Sequence, residues 1–232
     1  MDDSEIQALH RLEAEHWWYE NRRKILQAIL EGRSKSIRIL DLGSASGSNT
    51  LFIKGLGFDS VLSVEQSRYG VNLQRERGIP VIEADICKLP FDDESYDLIV
   101  CMDVIEHIKE DVDALHEMHR VLVKDGEILI SVPEDPRLWS KHDLAVKHFR
   151  RYSRQDLMYR TSQSGLQTKM MFSSHFLLKP IIKLFRKFST GSDLKPVHPP
   201  INLILKGICL LERKLGFGKF AGTTLWAVLR KP

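Results

Sequence analysis

Short runs of branched apolar residues alternate with helical segments along the first two thirds of the chain, and this alternation limits the fold more than any other feature. Residues 36–42, 61–65, 79–84, 97–102 and 127–132 read as strands. Helices are expected over 49–54, 68–76, 112–122 and 153–165, the last capped by Ser153 and stopped by Gly165. Pro80 stands at the start of its strand, where no ladder donor is lost, and Pro133 ends the fifth. Continuous Val, Ile and Leu runs suit strands covered on both faces, so the pattern predicts parallel βαβ units in an α/β fold. Further strands are expected at 166–173 and 223–229, and one N-terminal helix over 4–31 ending at Gly32.

The 232 residues are 43% hydrophobic and 28% charged, with mean hydropathy −0.22, as in a globular protein. That length is enough for one substantial domain. No apolar run approaches the ~18–20 residues that span a bilayer. Met1 to Glu5 is acidic and polar, unlike a signal peptide. Cys87, Cys101 and Cys209 form neither a disulfide framework nor a metal-ligand cluster, so a cytoplasmic location is expected. Charge is unevenly placed. Residues 1–136 hold 15 Lys and Arg against 27 Asp and Glu; residues 137–232 hold 19 against 4. The basic part suits an anionic partner, unless the two parts simply neutralise each other.

The first strand runs into Asp41-Leu42-Gly43-Ser44-Ala45-Ser46-Gly47. A glycine-rich turn from strand to helix builds a nucleotide-type site at the carboxyl end of a parallel sheet. Glu65 ends the second strand, where an acid can bind ribose hydroxyls, and Asp85 follows the third, where it can meet an adenine. The glycine spacing departs from the G-x-G-x-x-G of dinucleotide dehydrogenases.

The ordered motifs resemble those of class I S-adenosylmethionine-dependent methyltransferases. The Asp41–Gly47 loop is similar to their D-x-G-x-G-x-G, with Ala45 at the middle glycine. Glu83-Ala84-Asp85-Ile86, Leu89-Pro90-Phe91, Tyr96-Asp97-Leu98-Ile99, Asp103-Val104-Ile105-Glu106-His107-Ile108 and the run from Arg120 to Glu127 resemble later motifs. The likeness extends over about residues 5–175. It implies a doubly wound, Rossmann-like, seven-stranded sheet whose last strand is antiparallel. It implies S-adenosylmethionine as cofactor, held by Asp41, Gly43, Ser44, Gly47, Glu65, Gln66, Asp85, Ile86, Met102 and Asp103. Glu65 would take the ribose, Asp85 and Ile86 the adenine edge, and Met102 and Asp103 would lie beneath the sulfonium.

The resemblance reaches the aromatic and basic run His16-Trp17-Trp18-Tyr19-Glu20-Asn21-Arg22-Arg23, like that of a type 11/12-like branch. Trp18 or Tyr19 is expected to close over the donor, and Arg22 to meet its carboxylate. The stretch from Pro133 to Tyr152 ends in a similar H-x-R-R-Y pattern and borders the acceptor side. There Trp139, His142, Arg151 and Tyr152 are substrate candidates. A base, where one is needed, would be His148 and next His107, because histidine titrates near neutrality. No metal is expected, since His116 and His119 lack a matching ligand pair.

The chain is expected to form one domain. Residues 1–34 would be a helical cap and 35–175 the donor-binding core. Residues 176–220 would be a helical substrate cap or a membrane-facing insertion, and 221–232 the last strand. A small-molecule, glycan or lipid-linked acceptor is the leading reading. A nucleic-acid substrate is disfavoured by the lack of a reader module. A catalytically silent donor- or partner-binding protein stays open, as does peripheral membrane contact by the basic apolar segments 176–188 and 201–215. The oligomeric state is not legible.

Overall fold

The computed structural model describes residues 3–188, 191 and 195–232. Its centre is a seven-stranded sheet of order β3-β2-β1-β4-β5-β7-β6. The strands are β1 (Ile39–Leu42), β2 (Val61–Glu65), β3 (Val81–Glu83), β4 (Tyr96–Met102), β5 (Leu122–Pro133), β6 (Gln167–Ser174) and β7 (Thr224–Arg230). β1 to β5 pair in parallel; β7 runs antiparallel between β5 and β6. The doubly wound architecture and antiparallel last strand match the sequence reading.

The helices of the parallel half are α3 (Ser48–Gly55), α4 (Arg68–Glu76) and α5 (Asp111–Val121). They cover the sheet on both sides and leave two apolar layers. One gathers Leu40, Leu42, Ile99, Leu115 and Ile128; the other gathers Ile39, Leu98, Val100, Leu129 and Trp226. Each fully buried Leu or Ile contributes on the order of 1.5–3 kcal/mol. That burial holds the strand ends, and so the site, in place.

Two segment boundaries differ from expectation. The N-terminal helix is two helices, α1 (Asp3–Leu12) and α2 (Trp17–Leu30). Tertiary polar contacts break it. Arg23 donates to the carbonyls of Glu13 (2.6 Å) and Ala14 (3.0 Å), while Glu13 accepts from Ser46 Oγ at 2.6 Å. His16 then caps α2, its Nδ1 accepting from Trp18 N at 3.3 Å. The fifth strand begins at Leu122, five residues before the expected Glu127, because Leu122 pairs with Tyr96 ahead of a register shift.

Beyond β5 lie α6 (Lys141–Ala145) and α7 (Arg154–Gln163), the latter with the expected Ser153 cap. Between β6 and β7 stand α8 (Lys179–Phe188) and α9 (Pro199–Leu215). They dock on α2 through a small apolar cluster of Trp17, Trp18, Leu178, Ile182, Leu205 and Cys209. No helix among the described residues is long and apolar enough to cross a membrane.

Candidate active site

Strand order reverses between β1 and β4, and the loops leaving the carboxyl ends of such neighbours open a crevice. A cavity of about 660 Å³ lies there, a size suited to small-molecule ligands. Its walls come from the glycine loop, the end of β4, the segment after β5, and helices α1, α2, α8 and α9.

The loop wall is Gly43, Ser44, Ala45 and Ser46. Gly43 has φ +64° and lies against Val104, so an added Cβ would sit 2.5 Å from Val104 Cγ2. Ala45, at the middle-glycine position, also has positive φ, 49°. Glu65 locks the turn: its carboxylate accepts from Ala45 N at 2.7 Å and Ser67 N at 2.8 Å. Asp41 is buried beneath the loop and accepts from Thr50 Oγ1 at 2.6 Å; burial pushes its carboxyl up to about 7. It braces the loop from below.

On the cavity floor Arg22 pairs with Asp103 and donates to Ser131 Oγ at 3.0 Å; Ser131 donates to Asp103 Oδ1 at 3.0 Å. The guanidinium also lies 5.6 Å from the ring centroid of Trp226. Burial lowers its pKa to about 10, which still leaves it cationic at neutrality. Asp103 itself has φ +56°, a left-handed conformation that is uncommon away from glycine. Trp18 stacks on His175, with centroids 4.3 Å apart, and Trp18 and Tyr19 both line the cavity.

A second wall gathers Glu106, His107, His142, His148 and Arg151. Asp143 is fully buried. Its Oδ1 accepts from His148 Nδ1 at 3.1 Å and lies 2.7 Å from Arg151 Nε. Burial alone would raise the Asp143 pKa, but His148 and Arg151 outweigh it and hold the carboxylate well below its ordinary range. An ionised carboxylate accepts only, so His148 Nδ1 is the donor, and in the neutral ring the lone pair is then on Nε2. Nε2 lies 3.9 Å from Glu106 Oε1. The His107 ring sits edge-on to His148, with centroids 4.7 Å apart, and burial lowers its pKa to about 3, leaving it neutral.

Glu106 is fully buried, and neither carboxylate oxygen has a hydrogen-bond partner. Burial pushes its carboxyl up to about 8, against the pull of Arg22 and Arg151. A group neutral in the folded chain but ionised above its ordinary 4.5 when unfolded makes stability fall as pH rises. Glu106→Gln should remove that slope. The difference in thermal midpoint between variant and wild type should grow in the variant's favour from pH 4.5 to about 8. A pH-independent difference would contradict a neutral Glu106.

Glu106, His107 and His148 also bring one ligating atom each within 4.8 Å of one another. Among the described residues no other group of His, Cys, Asp and Glu does so. Sequence spacing alone did not show it, because His148 lies 41 positions beyond His107 and is carried back by the turn after α6. Arg22 and Arg151 already supply positive charge beside Glu106.

Ten expected site residues line this one cavity: Tyr19, Arg22, Gly43, Ser44, Met102, Asp103, His107, His142, His148 and Arg151. Others lie outside the lining. Asp41, Gly47, Glu65, Gln66, Asp85 and Ile86 are not among its lining residues. Asp85 is exposed after β3 and accepts from Cys87 N at 2.9 Å. Trp139 is exposed on the surface. Tyr152 is a core residue whose hydroxyl donates to Asp111 at 2.7 Å. Glu106 and Asp143 were missed as site residues. The signal for Glu106 was its place beside His107 in the Asp103–Ile108 motif; Asp143 is marked locally only as the capping-box acid of α6, by Ser140 three residues before it.

Sheet order and switch-point loop are those of the doubly wound, Rossmann-like fold that solved S-adenosylmethionine-dependent methyltransferases share. Residues 40–130 carry a match to the family model described as "Methyltransferase domain". Over 135 residues, 56% of the chain, it is 27% identical to 2-methyl-6-phytyl-1,4-hydroquinone methyltransferase 2, chloroplastic, of Oryza sativa subsp. japonica. Over 151 residues, 62% of the chain, it is 36% identical to a Homo sapiens protein named "Probable tRNA methyltransferase 9B". The chain spans 38% and 29% of the lengths of these two relatives. Among solved structures, Haemonchus contortus phosphoethanolamine N-methyltransferase 2 in complex with S-adenosyl-L-methionine superposes with TM-score 0.70 at 16% identity. That match covers 100% of this chain and 57% of the other.

Proposed function

We propose that the chain transfers a methyl group from S-adenosylmethionine to an oxygen or nitrogen nucleophile on a small-molecule, glycan or lipid-linked acceptor. The observation that carries this reading is one cavity lined both by the glycine loop and by His148, whose Nε2 is left as an acceptor by Asp143. The loop suits the donor: Gly43 and Ala45 turn the backbone through left-handed conformations at the cavity wall, with Met102 and Asp103 beside them. When bound, S-adenosylmethionine supplies an activated methyl group, so positioning carries much of the rate. Arg22 offers a guanidinium for the donor's carboxylate, competing with its pairing to Asp103. Trp18 and Tyr19 exclude water from the donor side. His148 Nε2 takes the acceptor's proton, and Asp143 holds the ring in the needed tautomer.

α1 lies over the nucleoside end of this site. Ile6 is buried against Gly70, and Asp3 accepts from Ser67 Oγ at 3.0 Å. Contact of the ribose with Glu65, and of the adenine with Asp85 and Ile86, therefore requires α1 to shift. In this reading residues 3–34, the described part of the expected 1–34 cap, are a lid over a single-domain core. Gln66, exposed next to Glu65, borders the same end.

Calorimetric titration with S-adenosylmethionine, S-adenosylhomocysteine and NAD tests the reading. Micromolar binding of the first two is expected, weakened about tenfold or more by Glu65→Ala, since the carboxylate braces the loop as well as facing the ribose. Binding of NAD alone, or of none of the three, would overturn it.

A further inference from the structure

We infer that the face built by α8 and α9 docks on an anionic lipid bilayer, and that the cavity mouth opens into that face. The acceptor is then a lipid-anchored molecule taken from the leaflet. This rests on the proposed methyl transfer for its chemistry, but the docking stands on separate observations.

The first is apolar exposure. One side of each helix packs on α2 through Leu178, Ile182, Leu205 and Cys209. The other side should be polar in a helix that faces only water. Instead Leu184 and Phe185 of α8 are 61% and 64% exposed, and Leu203 and Ile204 of α9 are 71% and 62% exposed. Clustered exposure of this kind marks a contact surface.

The second is charge. Residues 176–220 contain nine Lys and Arg against two acids, Asp193 and Glu212. Asp193 lies outside the described residues, and Glu212 is buried, accepting from Leu177 N at 3.1 Å. Lys183, Lys195, Lys214 and Lys219 are exposed in the same segment. A second copy of the chain would set this positive face against itself. An anionic leaflet offers both apolar depth and opposite charge. Helices of 10 and 17 residues lie in the interface plane and do not span it.

The third is continuity with the cavity. Ile181, Phe185 and Ile201 belong to the exposed apolar face and also line the cavity that His148 lines. A molecule whose polar end reaches His148 can therefore leave its hydrocarbon part among these side chains, without crossing water.

The test is sedimentation of the full chain with vesicles of phosphatidylcholine alone, and of phosphatidylcholine with about 30 mol% phosphatidylglycerol. Wild type should bind the anionic vesicles at least about tenfold more tightly, and lose that preference from about 50 mM to about 500 mM salt. The double variant Leu184→Glu, Leu203→Glu alters exposed positions away from the cavity lining. It should lose vesicle binding by about tenfold or more while keeping wild-type affinity for S-adenosylmethionine. Equal binding to both vesicle types, no binding to either, or a dimer that the variant dissociates would overturn the docking. Loss of donor binding in wild type would instead overturn the methyl-transfer reading and leave the vesicle result to stand alone.

Discussion

Replacing His148 by alanine should lower kcat by about 10²–10⁴, the range a positioned general base contributes, on any oxygen or ammonium-derived acceptor that wild type turns over. The reason is local. Nε2 is the one basic lone pair in the His148 ring once Asp143 holds the proton on Nδ1. His107, neutral through burial, lies next to it, but its ring is held by the backbone of Lys147 and, among the described residues, its Nδ1 has no hydrogen-bond partner. Release of S-adenosylhomocysteine is the readout, and donor affinity should stay at the wild-type value. Asp143→Asn should lower kcat as well, since the amide no longer fixes the Nδ1–H tautomer or balances the imidazolium that forms. A rate unchanged by His148→Ala would remove it from proton transfer and leave it a structural partner of Asp143.

Gly43→Ala should abolish measurable donor binding. Two costs combine. The residue has φ +64°, where a side chain adds about 1–2 kcal/mol. The new Cβ would also meet Val104 Cγ2 at 2.5 Å and Cγ1 at 2.8 Å, and Val104 is β-branched and buried just beyond β4. Relief requires the loop to move off the strand, and the loop is the cavity wall. Calorimetry should show at least about a hundredfold weaker S-adenosylmethionine binding, the equivalent of ~2.8 kcal/mol. A circular-dichroism melt separates this from unfolding. Ala45→Gly is the control: its φ of 49° suits glycine, and donor binding should survive. Wild-type affinity in Gly43→Ala would mean the donor does not use this loop.

The alternation of apolar runs with helical segments was sufficient for the sheet, since a strand buried on both faces has few sequence disguises. Motif order along the chain likewise located the loop at Gly43 and the strand ends at Glu65 and Met102. These are local features: a turn needs its glycine, and a strand end needs a polar residue within a few positions. What depends on distance in space was not legible. The break between α1 and α2 comes from Arg23, Ser46 and Glu13 meeting across three elements. Tyr152, in a promising motif, belongs to the core because Asp111 reaches its hydroxyl. Asp143 and Glu106 became site residues only when the chain folded back after α6 and put His148 between them. Hydrophobic periodicity is written residue by residue, so the sequence by itself determined the doubly wound sheet and its glycine loop. Side chains tens of positions apart acquire common partners and common burial only in the folded chain, so the tertiary structure alone decided which carboxylate orients His148 and which helix faces surround the cavity mouth.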